Sequence, residues 1–119
     1  MNASNPTTKV QHVGVRVRDF DWYRRFFQDI MGMPVTLEKN DTENNLDQIW
    51  IGGVQLQHAI SDAIANCETQ QMSHIGIESS DPDSLILAVS SVEGVASFSG
   101  KLNWFQLPEG HVIEIVGIE

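Results

Sequence analysis

The chain has 119 residues, 41% of them hydrophobic and 19% charged, which fits one globular domain with a real core. Its 16 acidic side chains against 7 Lys and Arg give a net charge of −9, which argues against a nucleic-acid partner. One cysteine, Cys67, excludes an intramolecular disulfide and a thiolate cluster, and no apolar run approaches the roughly 20 residues of a membrane span. No membrane association and a reducing cytoplasm are therefore expected.

Met1 to Thr8 reads as a polar tail. Val10 to Val17 alternates, with Val13, Val15 and Val17 on an apolar face and Val10, His12, Gly14 and Arg16 on the other. Asp19 or Asp21 caps a helix whose Phe20, Tyr23, Phe26, Phe27 and Ile30 recur at helical spacing, ended by Gly32 and Pro34. Strands are predicted over Val35 to Glu38, Asp47 to Ile51 and Val54 to Ile60, with a polar loop from Lys39 to Leu46 and a Gly52-Gly53 turn. Ser61 to Ser73 reads as a connection, with a helical turn around Ala63 to Cys67.

His74 to Ser79 then reads as a strand, and Asp81-Pro82 opens a helix with Leu85, Ala88, Val89 and Val92 as its buried stripe. Ala96 to Ser99, Leu102 to Leu107 and Val112 to Val116 complete the strands, with Pro108-Glu109-Gly110 as a turn.

This order is a repeat. His12-Val13-Gly14-Val15 matches His74-Ile75-Gly76-Ile77, and Asp19 and Asp21 match Asp81 and Asp83 at the same interval. Gly53 to Gln57 resembles Gly110 to Glu114, each with a polar residue four places after its glycine. The predicted class is α+β: two tandem βαβββ modules with mixed sheets curling around a shared cavity. Module one covers about 9–60, the connection 61–73 and module two 74–117, all within one domain over 1–119. Neither half could bury its sheet alone.

Imidazole and carboxylate donors suit a borderline divalent ion, namely Zn, Ni, Co, Mn or Fe. A lone histidine is more often structural than liganding. The repeat shifts that balance, because it places His12 and His74 at equivalent positions. Glu114 lies in an apolar strand, where a carboxylate is costly without a cation or hydrogen bonds. For the fourth donor, Gln55, Gln57 and His58 compete. The spacing from glycine favours Gln57, and His58 would point to the opposite face. Asp19, Asp21, Asp81 and Asp83 read as caps or turn residues, and His111 as a surface residue.

The chain resembles the vicinal oxygen chelate superfamily, which includes glyoxalase I, methylmalonyl-CoA epimerase, extradiol dioxygenases, and fosfomycin and bleomycin resistance proteins. The resemblance spans Val10 to Val116. It rests on the segments His12 to Asp19, Phe27 to Met33, Gly53 to Gln57, His74 to Ile77 and Pro108 to Ile115. It implies metal ligands at His12, Gln57, His74 and Glu114, an order like that of methylmalonyl-CoA epimerase and close to glyoxalase I. It also implies a metal that chelates adjacent oxygens of a small substrate and stabilises an enediolate or oxyanion. Glu114 is then the catalytic base, and the reaction is that of a lyase or isomerase. Arg16, Trp50 and Trp104 are candidate substrate contacts, and a homodimer is implied by the superfamily alone.

The departures are specific. The epimerase needs a carboxylate base on its third strand, where Gln48 falls and Asp47 is one residue out of phase. The extradiol dioxygenase reading lacks support, since Tyr23 is the only tyrosine and sits on the first helix. The contrasting class is a binding protein of bleomycin-resistance type that sequesters a small molecule without turnover. It suits the negative charge and leaves His12, His74 and Glu114 unexplained.

Overall fold

The first module is built on an alternation that the structure uses directly. In the strand β1 (Val13–Val17), Val15 and Val17 are buried against the helix layer while Gly14 and Arg16 face outward; Val13, expected with the buried set, stands at the strand's open end and is 52% exposed. The computed structural model describes residues 10–41, 46–58 and 74–118, with backbone alone for Asp41 and Leu46. The polar tail, the last two residues of the strand expected to end at Ile60, and the connection from Ser61 to Ser73 lie outside the described residues.

Asp19 caps α1 (Phe20–Arg25) by accepting the Trp22 N–H at 3.1 Å. The helix does not continue as α. Phe26–Ile30 form a π-helical turn in which the Met31 N–H bonds to the Phe26 carbonyl at 3.0 Å. The wider turn rotates the following face. Ile30, expected inside, is 40% exposed, and Met31 packs on the core instead. Tyr23, Phe26 and Phe27 are fully buried, each contributing roughly 1.5–3 kcal/mol of apolar burial.

The strands β2 (Val35–Asp41), β3 (Leu46–Ile51) and β4 (Val54–His58) complete a sheet of order β1-β4-β3-β2, with β1 parallel to β4 and the other pairs antiparallel. The expected loop after Glu38 is partly strand. Lys39 and Asn40 pair with Gln48 and Asp47, which a polar sequence can do because β2 is an edge strand.

The second module repeats the plan. It contains β5 (Ile75–Ser79), α2 (Pro82–Ser90), β6 (Ala96–Phe98), β7 (Lys101–Gln106) and β8 (Val112–Gly117), in the order β5-β8-β7-β6. Asp81 caps α2, accepting the Ser84 N–H at 3.2 Å, and Pro82 opens the helix. Val89 is buried and Leu85 half-buried as expected, whereas Ala88 is exposed and Ile86 packs on the core in its stead. The architecture is α+β: two four-stranded mixed sheets in tandem βαβββ modules. One hydrophobic cluster, including Leu56, Tyr23, Leu107 and Ile113, runs through both.

The modules also meet through polar contacts. Glu109, in the β7–β8 hairpin, accepts the Arg18 and Asp19 N–H groups, each at 2.7 Å. The hydroxyl of Tyr23 accepts the Glu109 N–H at 3.1 Å and lies 2.7 Å from His111 Nδ1. His111 is therefore not the surface residue expected from its place after a turn. It is half-buried, with its ring edge-on to Tyr23 at 5.1 Å between centroids.

Candidate metal centre

Each module places a histidine just before its first strand and turns the ring against a tryptophan. His12 meets Trp50 edge-on at 6.1 Å between centroids, and His74 meets Trp104 at 4.5 Å. A lysine sits over each indole: Lys39 Nζ is 5.8 Å from the Trp50 ring and Lys101 Nζ is 5.0 Å from the Trp104 ring. The histidine and tryptophan hold equivalent places in the two halves, but the lysines do not: Lys39 comes from β2 and Lys101 from β7. Lys101, like Arg16, is a thin candidate for an anionic substrate group from the sequence, whereas Lys39 falls in the stretch read as a loop.

The oxygen donors follow from strand register. Glu114 pairs with Gly76 on one side and Trp104 on the other. In the first module the residue between Gly14 and Trp50 is Gln55. Gln57 pairs with Arg16, the position that Val116 takes opposite Glu78. Counting four residues from a glycine therefore misaligned the modules. The β3–β4 turn is closed by the pair Ile51 and Val54, while the β7–β8 turn is closed by Gln106 and Val112 and is longer. Only the pairing reveals the offset.

The side chains point the same way. Gln55 is buried, at 8% exposure, and its Oε1 lies 3.3 Å from where a Cβ on Gly14 would sit. Gln57 brings its Nε2 to 3.7 Å from that point. His58 packs on Phe20 at 5.9 Å, on the helix side of the sheet.

In the second module His74 Nε2 and Glu114 Oε1 stand 3.3 Å apart, both side chains partly exposed. His12 and His74 border one groove along the seam between β1 and β5, which also includes Met33, Gly53 and Glu78. Among the described residues, no three of His, Cys, Asp and Glu gather into one cluster. Arg16 is exposed beside Gln57. The donor types fit a divalent ion: each module carries an imidazole and, across from its glycine, an oxygen donor, and in the second module the two are in contact.

Burial is also felt by the groups that join the modules. Desolvation lowers the pKa of His111 from its ordinary 6.5 and raises that of Tyr23.

No protein-family model matches the chain, and no curated relative does. Solved structures do. The fosfomycin resistance protein FosX of Listeria monocytogenes is 15% identical, with a TM-score of 0.71 over 94% of this chain and 93% of that one. The trypanothione-dependent glyoxalase I of Leishmania major is 18% identical, with a TM-score of 0.74 over 93% of this chain and 87% of that one. This is the vicinal oxygen chelate fold. A glyoxalase family protein of Enterococcus faecalis also shares it, at 17% identity and a TM-score of 0.60 over 90% of this chain and 95% of that one. A FosX variant of similar fold holds Mn(II) and a dihydroxypropylphosphonic acid, at 13% identity and a TM-score of 0.69 over 92% of each chain. Among the described residues, no helix is long and apolar enough to cross a membrane.

Proposed function

We propose that the chain is a divalent-metal-dependent enzyme of glyoxalase I or epimerase type, acting in the cytoplasm on a small substrate with adjacent oxygens. One observation carries the reading. Each module sets an imidazole beside its tryptophan and an oxygen donor across from the glycine two residues downstream. The proposed ligands are His12, Gln55, His74 and Glu114, with Gln55 replacing the Gln57 read from spacing. The Mn(II) and vicinal diol in the FosX structure support the chemical class.

A bound ion would supply Lewis acidity to two neighbouring substrate oxygens. Glu114 is the proposed base, since its carboxylate can take a proton from carbon and return it, which the Gln55 amide cannot do. Trp50 and Trp104 offer apolar walls, and Arg16 offers a charge to an anionic substituent. Lys39 and Lys101 add positive charge beside both half-sites.

The complete site is proposed to form between two copies, each contributing one half-site. The two sheets are separate, and no three-residue cluster forms among the described residues of one chain. Leu102, on the same face of β7 as Trp104, is 86% exposed, as a surface awaiting a cover would be. Reconstitution with Co(II), Mn(II), Ni(II), Fe(II) and Zn(II) followed by elemental analysis tests the reading. About one equivalent of a preferred ion per chain is expected. Less than roughly a tenth of an equivalent of any ion would sink it and favour the sequestering protein.

A further inference from the structure

We propose that Gln48 is a positioning residue that decides which end of the Gln55 amide is presented to the metal. The inference rests on the metal reading above. An amide has two unlike ends, and rotation about its last torsion exchanges a ligand oxygen for a useless NH2. In this chain one contact engages the nitrogen: Gln55 Nε2 donates to Gln48 Oε1 at 2.7 Å. With the nitrogen so engaged, Oε1 is the end lying over Gly14, on the face that follows His12.

The second module supplies the contrast. Trp50 and Trp104 hold equivalent places opposite Gln55 and Glu114, so the counterpart of Gln48 is Leu102. Leucine cannot orient anything by hydrogen bonding. Glu114 does not require it, because the two oxygens of a carboxylate are interchangeable. An orienting group therefore occurs only where the ligand is an amide. Groups that hold a metal ligand in its productive orientation commonly contribute as much to affinity as a weak ligand does.

The test is Gln48→Met in two backgrounds, the parent chain and Gln55→Glu, with Co(II) affinity measured by competition against a chelator. In the parent the substitution should weaken binding roughly tenfold. In the Gln55→Glu background, where no end must be chosen, it should change binding by less than about twofold. An equal loss in both backgrounds would show that Gln48 only supports the sheet, and no loss in the parent would show that it does nothing. A parent that binds no Co(II) would overturn the metal reading and this inference with it. A metal-free measurement separates the two. The Gln55 side-chain NH2 should give a proton resonance protected from exchange, and Gln48→Met should abolish that protection. Persistence of the protection would overturn the proposed contact whatever the metal does.

Discussion

Gln55 and Glu114 are counterparts: each lies across from the glycine two residues after its module's histidine, with a tryptophan on its other side. Metal affinity should follow this register. Gln55→Ala should weaken Co(II) binding at least tenfold, as loss of a ligand does, while Gln57→Ala and His58→Ala should leave it within about threefold. A larger loss from Gln57→Ala than from Gln55→Ala would return the ligand assignment to the one read from spacing.

The two glycines facing these donors are not equally crowded. A Cβ on Gly14 would meet Gln55 Oε1 at 3.3 Å, whereas one on Gly76 would meet nothing within 4 Å. Gly14→Ala should displace the amide and weaken metal binding several-fold, with the melting temperature little changed. Gly76→Ala should be silent in the same chelator competition. Equal effects would mean that the clearance over Gly14 is unrelated to the ligand.

Sharing of the site between copies predicts complementation. His12→Ala destroys one half-site and His74→Ala the other, so each variant alone should bind metal poorly. In a mixed dimer one site combines both lesions and the other has none. Random exchange makes half the dimers mixed, so about a quarter of the parent's sites should return. No recovery after mixing, with exchange verified by mass spectrometry, would place each complete site within one chain. Light scattering at micromolar concentration should show the dimer directly.

The buried hydroxyl of Tyr23 serves two partners, the Glu109 N–H and His111 Nδ1. Tyr23→Phe leaves both without it and should cost about 1–3 kcal/mol in urea unfolding. A cost within experimental error would mean that water replaces the hydroxyl.

The same cluster sets a pH window for stability. His111 has a folded pKa below its ordinary 6.5 because burial disfavours the charged imidazole, although Glu109 opposes this. Below about pH 6.5 the unfolded chain therefore binds more protons than the folded one. Stability should be complete above that value and fall as the pH drops toward the folded pKa. Tyr23 acts at the other end: burial raises its pKa, so its contribution is complete below the unfolded value of about 10 and is lost as the pH rises beyond it. Urea midpoints from pH 5 to 8 should show the acid limb, and His111→Gln should flatten it. An unchanged limb would assign the effect to carboxylates.

Much of this was legible because it depends on local pattern. Asp19 and Asp81 cap the helices where a polar residue precedes an apolar period, and His12 and His74 declare themselves by repetition. What depended on non-local pairing was not legible. The register that sets Gln55 rather than Gln57 opposite Gly14 was hidden because the two hairpins differ in length, and no composition rule reveals which residues face each other across a strand. The strand character of Lys39 and Asn40 comes from pairing at an edge, which overrides their polar sequence. His111 looked like a turn residue. Its burial comes from Tyr23, which lies far away in the chain and close in the fold.

The longer hairpin of the second module has a meaning beyond the misalignment it caused. Glu109, whose carboxylate holds the start of α1, and His111, which meets Tyr23, both belong to residues that the shorter first hairpin lacks. The longer hairpin therefore makes the two modules unequal where they meet: only the second reaches across to hold the first helix of its partner module.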